Sequence, residues 1–275
     1  MFPTIPYGFW YSKVLTKDFK NHHMTIRYEA NPPKVLPEED TNKAILKFVE
    51  KIKEISKKVD AIHLTENVLG HQRVSPIKVG KIIQEQIPNI PITVSLRVRD
   101  KTEKEIFDFV DECIKIKISG ILVLMGDPAK DGKTDSGQIP SSVVKNLKKK
   151  VESKIDLYLS ISNKPDFSKI GKKIDANPKG FMTQVIQNVN QVQRLSENLK
   201  GFKVIPIILF PSEKNEKSAK FLNIDLESYT KEFDKLVGEA CEITGDVLIT
   251  SPNDFAGANR FLEKLNQRTK YSASG

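Results

Sequence analysis

Cysteine and histidine are scarce in this chain. Its 275 residues include two cysteines, Cys113 and Cys241, which form neither a C-x-x-C unit nor a disulfide framework. This usage favours a reducing compartment, so we expect a cytoplasmic protein. The four histidines make no ligand pattern with the cysteines, and the adjacent His22 and His23 are expected to be exposed rather than ligating. The sequence therefore predicts no metal site.

Long apolar runs are also absent. No segment approaches the roughly 20 apolar residues that a helix needs to cross a bilayer. The first residues, MFPTIPYGFWYSKVL, lack the basic and apolar regions of a signal peptide. We therefore expect no membrane partner, and we interpret residues 1–23 as an N-terminal arm.

Signatures of nucleic-acid binding are missing, although the chain is basic. Lys and Arg number 44 against 35 Asp and Glu, a net charge of +9. The lysines are spread over helix-like segments such as KFVEKIKEISKK, which favours solvated helix faces; attraction of polyanions or phosphorylated cofactors is the alternative. No RNP, zinc-finger or helix-turn-helix motif is present, so we expect no nucleic-acid partner.

The chain does contain a regular alternation of apolar β-branched runs and helix-like segments. The segments between the runs show helical periodicity, and Thr102 followed by Glu105 is a capping-box pattern. The spacing of the runs is about 20–40 residues, the length of a βα unit. The eight runs cover residues 24–29, 61–66, 92–98, 120–126, 155–161, 180–186, 202–210 and 246–250.

Eight such units predict a single (β/α)8 TIM barrel over residues 24–270, followed by a flexible tail at 271–275. The alternative is a doubly wound open sheet. In the first run, Thr25, Arg27 and Glu29 share one strand face. A central strand of an open parallel sheet is apolar on both faces, whereas a barrel can turn polar groups inward near its mouth. The polar strand face therefore favours the barrel.

Polar residues stand near the carboxyl ends of these runs, where barrel enzymes carry their active sites. Two acids among them, Glu29 and Asp127, are expected to face one cavity, where like charges raise one pKa and produce a general acid. Helix caps or solvated loop acids remain the alternative. The full set is Glu29, Thr65, Glu66, Arg97, Asp127, Ser162, Asn163, Gln184, Ser251 and Asn253.

The segment KPDFSKIGKKID, residues 164–175, combines an acid with several lysines. Asp166, Lys169, Lys172 and Lys173 are three and four positions apart, so they are predicted to share one face of a short helix. That face could hold a ribose and a diphosphate. A solvated lysine face is the alternative.

Five motifs, in chain order, resemble the methylenetetrahydrofolate reductase family. They are YEANPPK, HLTEN, ILVLMGDPA, the pair KKIDA and GFMTQ, and VIPIILFPSEKNEKSAKF. The resemblance spans roughly residues 24–255. It implies a (β/α)8 barrel that binds FAD and reduces the methylene bridge of methylenetetrahydrofolate to a methyl group.

The resemblance also implies roles for individual residues. Glu29, before the double proline, corresponds to the general acid, and Asp127 to an anion near flavin and pterin. Gln184 and Phe221 correspond to substrate contacts, as does Glu29. The cofactor contacts implied are Thr65, Gly126, Asp127, Ser162, Asp166, Lys169, Lys172 and Lys173.

Several partners stay open at this point. The cofactor is expected to be FAD, with FMN as the alternative, reduced by NAD(P)H or another donor. The substrate is expected to be a folate or another tetrahydropterin, in one-carbon and methionine metabolism. A homo-oligomer or a helper subunit is compatible with the sequence. The rival functions are another flavin barrel, such as a proline dehydrogenase, and a non-enzymatic binding protein.

Overall fold

Eight parallel strands, hydrogen-bonded in chain order, close into a barrel and confirm the predicted (β/α)8 fold. The structure is a computed structural model that describes residues 24–68, 71–128, 135–151 and 153–273, with the backbone alone from 267. The arm predicted for residues 1–23 lies outside these residues. Since all eight strands run the same way, their carboxyl ends form one rim, the barrel mouth.

The strands and helices alternate as predicted, except that two α-helices follow the seventh strand. The strands are β1 Thr25–Ala30, β2 Ala61–Leu64, β3 Ile92–Arg97, β4 Gly120–Leu124, β5 Asp156–Ile161, β6 Gly180–Val185, β7 Lys203–Leu209 and β8 Asp246–Thr250. The α-helices of the described residues are α1 Glu38–Ile55, α2 Pro76–Gln86, α3 Glu103–Lys115, α4 Pro140–Val151, α5 Gly171–Asp175, α6 Val189–Asn198, α7 Glu216–Phe221, α8 Leu226–Thr244 and α9 Phe255–Ala273. None of these helices is long and apolar enough to cross a membrane.

Local sequence signals set the helix positions. At the start of α3, the Thr102 hydroxyl accepts from the Glu105 N–H and the Glu105 carboxylate accepts from the Thr102 N–H, which confirms the capping box. Along α1, the buried face carries Ile45, Val49 and Ile52, spaced at three to four residues. That face packs on the sheet, so the helical period fixes which side of the helix is buried.

Two separate apolar cores follow from strand parity. The larger lies between the sheet and the helices. The smaller fills the barrel interior and contains strand residues alone: Leu122, Tyr158, Met182, Ile205 and Leu248. Residues that alternate with the outer core therefore point inward, as the pattern of the first strand predicted.

A buried ion cluster closes the barrel below this inner core. Arg27 Nε and Nη2 donate to the two carboxylate oxygens of Asp246 at 2.7 and 2.8 Å, and Lys203 Nζ lies 2.7 Å from Asp246 Oδ2. Asp246 is fully buried. A buried carboxylate needs such partners, because an unpaired ion in the interior costs several kcal/mol. The cluster explains the inward arginine of β1 as structural.

Strand β6 has a bulge near the mouth, where it pairs with β7. The strand register is Met182 to Ile205 and then Val185 to Ile207, so β6 carries one extra residue. Pro206 has no N–H to offer, and the Ile207 N–H donates instead to the Thr183 hydroxyl at 3.0 Å. The bulge leaves Gln184 exposed at the mouth.

The segment that follows β5 does not form the single helix predicted for it. A 3-10 turn, Phe167–Lys169, is capped by Asp166 and is separated from α5 by Ile170. Ile170 buries its side chain and has φ −90° and ψ 2°, outside α-helical values. Because Ile170 separates the two turns and the Lys173 ammonium turns back to the Ser160 carbonyl, the prediction of one shared face is wrong.

Candidate active site

Glu29 is the second-last residue of β1 and lies at the barrel mouth. It pairs in register with His63 on β2 and with Thr250 on β8. The Thr250 hydroxyl donates to Glu29 Oε1 at 2.7 Å. Burial raises the pKa of Glu29, and the hydrogen bond from Thr250 opposes that rise. The structure thus holds a half-buried acid that keeps its proton to higher pH than a surface glutamate.

The source of this raised pKa differs from the sequence prediction. A second carboxylate, Asp127, was expected to raise it by charge repulsion. Asp127 makes no contribution to the pKa of Glu29, and its side chain is exposed. Burial alone is the cause. The pairing of two acids in one cavity is therefore not the electrostatic basis of this site.

The loop after β1 is tied to its neighbours next to Glu29. The Thr65 hydroxyl donates to Asn31 Oδ1 at 2.7 Å, and Arg73 Nη1 donates to the Pro32 carbonyl at 2.7 Å. Thr65 is buried. The Pro33 carbonyl also accepts from the Val74 N–H at 2.9 Å. These contacts fix the loop that follows Glu29, where Pro32 and Pro33 have no N–H to donate.

His63 lies inside the barrel beside Glu29. It is buried between two hydroxyls, with Nδ1 2.9 Å from Thr93 Oγ1 and Nε2 3.0 Å from Ser95 Oγ. Burial, together with the positive Arg27, lowers the pKa of His63 to about 3. The imidazole is therefore neutral and adds no charge to the neighbourhood of the acid.

The turn after β4 is built around Gly126. This residue has φ +83°, in the left-handed region that favours glycine. Its carbonyl accepts from Arg99 Nε at 3.1 Å, and the next carbonyl, of Asp127, accepts from Arg97 Nη2 at 2.7 Å. Arg97 is 1% exposed and also donates to the Asn67 carbonyl at 3.0 Å. Two arginines of β3 and its loop thus fix the backbone that presents the Asp127 side chain.

The residues predicted to bind a cofactor follow β5. Asp166 Oδ1 accepts from the Ser168 N–H and hydroxyl, and Asp166 Oδ2 lies 3.0 Å from Lys169 Nζ. Lys173 turns back toward the barrel, where its ammonium donates to the Ser160 carbonyl at 2.6 Å. Burial lowers the pKa of Lys173. Lys172 is exposed.

Three further predicted residues occupy different parts of the rim. Ser162, just past β5, is half-buried and accepts from the Lys164 N–H at 3.2 Å. Gln184 is exposed at the β6 bulge. Phe221 ends α7 with 71% of its surface exposed. A groove of about 470 Å³ lies between α6 and α8, lined in part by Asn188, and none of the predicted site residues lines it.

Sequence reasoning missed three residues that shape the site. Thr250, His63 and Arg73 each contact or adjoin the acid or its loop. The alternation of DVLIT and AIHLTE already turns Thr250 and His63 inward, so strand parity was a usable signal for them. Arg73 lies in a loop, and nothing in its sequence context indicated the contact with Pro32. In the described residues no group of three or more His, Cys, Asp or Glu could hold a metal.

Fold and site together define a (β/α)8-barrel protein with a half-buried acid at its mouth. Solved structures share this fold at low identity. They are 2,3-dimethylmalate lyase of the PEP mutase/isocitrate lyase superfamily (10% identity, TM-score 0.52, covering 92% of this chain and 84% of that chain) and oxaloacetate acetylhydrolase (9%, 0.54, 90% and 82%). The third is 7,8-dihydropteroate synthase from Vibrio fischeri (10%, 0.54, 90% and 94%). At these identities the likeness shows the fold alone.

The chain belongs to the methylenetetrahydrofolate reductase family, whose sequence profile matches residues 14–223. No curated protein matches it. The match covers well over half of the chain and confirms the resemblance inferred from its motifs. The protein is therefore an enzyme of a folate-related oxidoreductase family that is generally flavin-dependent.

Proposed function

We propose that the protein reduces a 5,10-methylene-tetrahydropterin, such as methylenetetrahydrofolate, to its 5-methyl form. The observation that carries this proposal is Glu29, a half-buried acid at the mouth of a barrel of this family. Its pKa is raised by burial, and its only hydrogen bond in the described residues comes from a neutral hydroxyl. A general acid near neutral pH requires this combination.

The reaction needs a proton before it needs a hydride. The methylene carbon bridges N5 and N10 of the substrate, and protonation of N10 breaks the N10–carbon bond and leaves a cationic iminium at N5. Glu29 donates that proton and becomes a carboxylate, which accepts the Thr250 hydrogen bond. Transfer of a hydride to the carbon then gives the 5-methyl product.

The residues after β5 fit a flavin with a diphosphate. When bound there, a reduced flavin would supply the hydride, and a reduced nicotinamide or another donor would restore it. Lys169, Lys172 and Lys173 would provide cations for phosphate oxygens, and Asp166 would provide acceptors for ribose hydroxyls in place of its present partners Ser168 and Lys169. This donor set favours FAD over FMN. Lys173 would have to exchange its bond with the Ser160 carbonyl for a phosphate.

Exposed groups on the rim suit the substrate and its charged intermediate. The Gln184 amide has both a donor and an acceptor available for a pterin edge. The ring of Phe221 can stack on an aromatic substrate. The exposed Asp127 carboxylate offers an anion to the iminium cation. Thr65, Gly126 and Ser162 would contact the flavin. We further propose a cytoplasmic role in one-carbon and methionine metabolism.

Flavin binding and product formation test the proposal. Purified protein should show flavin absorbance or acquire it when FAD is added, and should then convert methylenetetrahydrofolate to the 5-methyl form with a reduced donor. Lys173→Met should weaken FAD binding, whereas Lys149→Met, an exposed lysine of α4, should leave it unchanged. Tight flavin binding with oxidation of proline instead would support the rival barrel function. No flavin binding would overturn the proposal.

A further inference from the structure

We propose that Thr250 is a positioning residue that selects which oxygen of Glu29 delivers the proton: it holds Oε1, so the transferable proton resides on Oε2. This inference rests on the proposed function. It follows from the one side-chain hydrogen bond that, among the described residues, joins β1 to β8 at the level of the acid.

The geometry commits the two oxygens of Glu29 to different roles. Thr250 Oγ1 lies 2.7 Å from Oε1, and Thr250 is 4% exposed, so water does not replace this donor. In the described residues Oε2 has no hydrogen-bond partner, and it is not among the buried polar atoms that lack one. Oε2 is thus accessible from the mouth. An oxygen that already accepts a hydroxyl proton disfavours a second proton, so the acid proton occupies Oε2.

The other neighbours of Glu29 do not provide a hydrogen bond that could replace the one from Thr250. The β2 partner His63 is neutral, and Arg27 on the same strand is committed to Asp246. In the part of the chain that the structure describes, Thr250 is thus the one group whose hydrogen bond stabilises the carboxylate left after proton transfer. The charged or titratable groups of the adjoining elements are Arg27 and Tyr28 on β1, His63 on β2, Arg73 in its loop, Lys203 on β7, Asp246 on β8 and Asp254 after β8.

Two substitutions of Thr250 distinguish the effect of its hydroxyl from the effect of its side-chain volume. Thr250→Val keeps the volume and removes the donor, whereas Thr250→Ser keeps the donor. Removal of a donor to the carboxylate disfavours the ionised form, so the pKa of Glu29 rises and the alkaline limb of the kcat–pH profile moves up by about one to two pH units. With the proton no longer fixed on one oxygen, kcat falls about 10- to 100-fold at unchanged KM. Thr250→Ser restores both.

An infrared titration tests the contact without any turnover. The carbonyl stretch of protonated Glu29 is assigned by its loss in Glu29→Gln. In Thr250→Val this band should move to higher frequency and titrate at higher pH, whereas Thr250→Ser and the exposed control Thr230→Val should match the wild type. Melting temperatures confirm that each variant folds.

The outcomes separate this inference from the proposed function. An unchanged band and titration in folded Thr250→Val overturns the positioning role. A shifted band with an unchanged kcat–pH profile overturns it as well, because the contact then does not serve the reaction. A shifted band in a protein that turns over no methylene-tetrahydropterin supports the contact and refutes the proposed function instead.

Discussion

Replacement of Gly126 by alanine tests whether the turn after β4 is built around Arg97. Gly126 has φ +83°, and a Cβ there would lie 2.5 Å from Arg97 Nε, 3.0 Å from its Cγ and 3.1 Å from its Cδ. The left-handed conformation alone costs alanine about 1–2 kcal/mol. Arg97 must also move, and the loss of one of its bonds to the Asn67 and Asp127 carbonyls costs about 1.5–3 kcal/mol more.

A matched glycine isolates the steric part of this cost. Gly201 has φ +89°, and its Cβ would meet nothing within 4 Å. In urea unfolding at constant m, Gly201→Ala should lose about 1–2 kcal/mol and Gly126→Ala about 2.5–5 kcal/mol. Equal losses would refute the argument that Arg97 supports this turn, and with it the view that Arg97 positions Asp127.

Three further predictions concern the acid, the barrel floor and the rim. Because the pKa of Glu29 in the folded protein is raised above 4.5, the wild type loses stability as pH rises from 4.5 through that pKa. Glu29→Gln should therefore have a higher melting temperature than the wild type near pH 8, and the difference should disappear below about pH 4.5. A difference in melting temperature that does not change with pH would contradict this. Asp246→Asn leaves Arg27 buried without its carboxylate and should cost about 3–5 kcal/mol in urea unfolding, and a loss under about 1 kcal/mol would count against the ion cluster. Phe221→Ala should change stability by less than about 0.5 kcal/mol because the ring is exposed, yet raise the KM for the pterin; an unchanged KM would remove Phe221 from the site.

The barrel could be predicted because its signals are local. The alternation within β1 turns Arg27 and Glu29 to one face, and the structure turns that face inward. Helix periods and the Thr102 cap likewise depend on residues a few positions apart. The prediction of a single helix for the segment after β5 was wrong. Its i, i+3 spacing indicated one helix, but Ile170 departs from α-helical values between the 3-10 turn and α5, and the spacing carries no signal of that break.

The sequence predicted that Glu29 lies at the barrel mouth, but it did not predict the hydrogen-bond partner of Glu29. Glu29 stood before a double proline at a strand end, which a sequence shows. The partner that tunes it, Thr250, is 221 residues away and meets it only because β8 closes the barrel against β1. The expected charge repulsion between Asp127 and Glu29 was wrong. The position and burial of a side chain at the barrel mouth depend on the conformation of the loops, which the sequence spacing of the two acids does not define.

The half-reaction between reduced, FAD-loaded protein and methylenetetrahydrofolate tests the central claim most directly. Mixed anaerobically, wild type and the control Glu85→Gln, an exposed acid in the last turn of α2, should reoxidise the flavin at the same rate. Glu29→Gln should reoxidise it about 10²- to 10⁴-fold more slowly, while its reduction by the electron donor stays unchanged. Reoxidation of Glu29→Gln at the wild-type rate would show that Glu29 is not the acid.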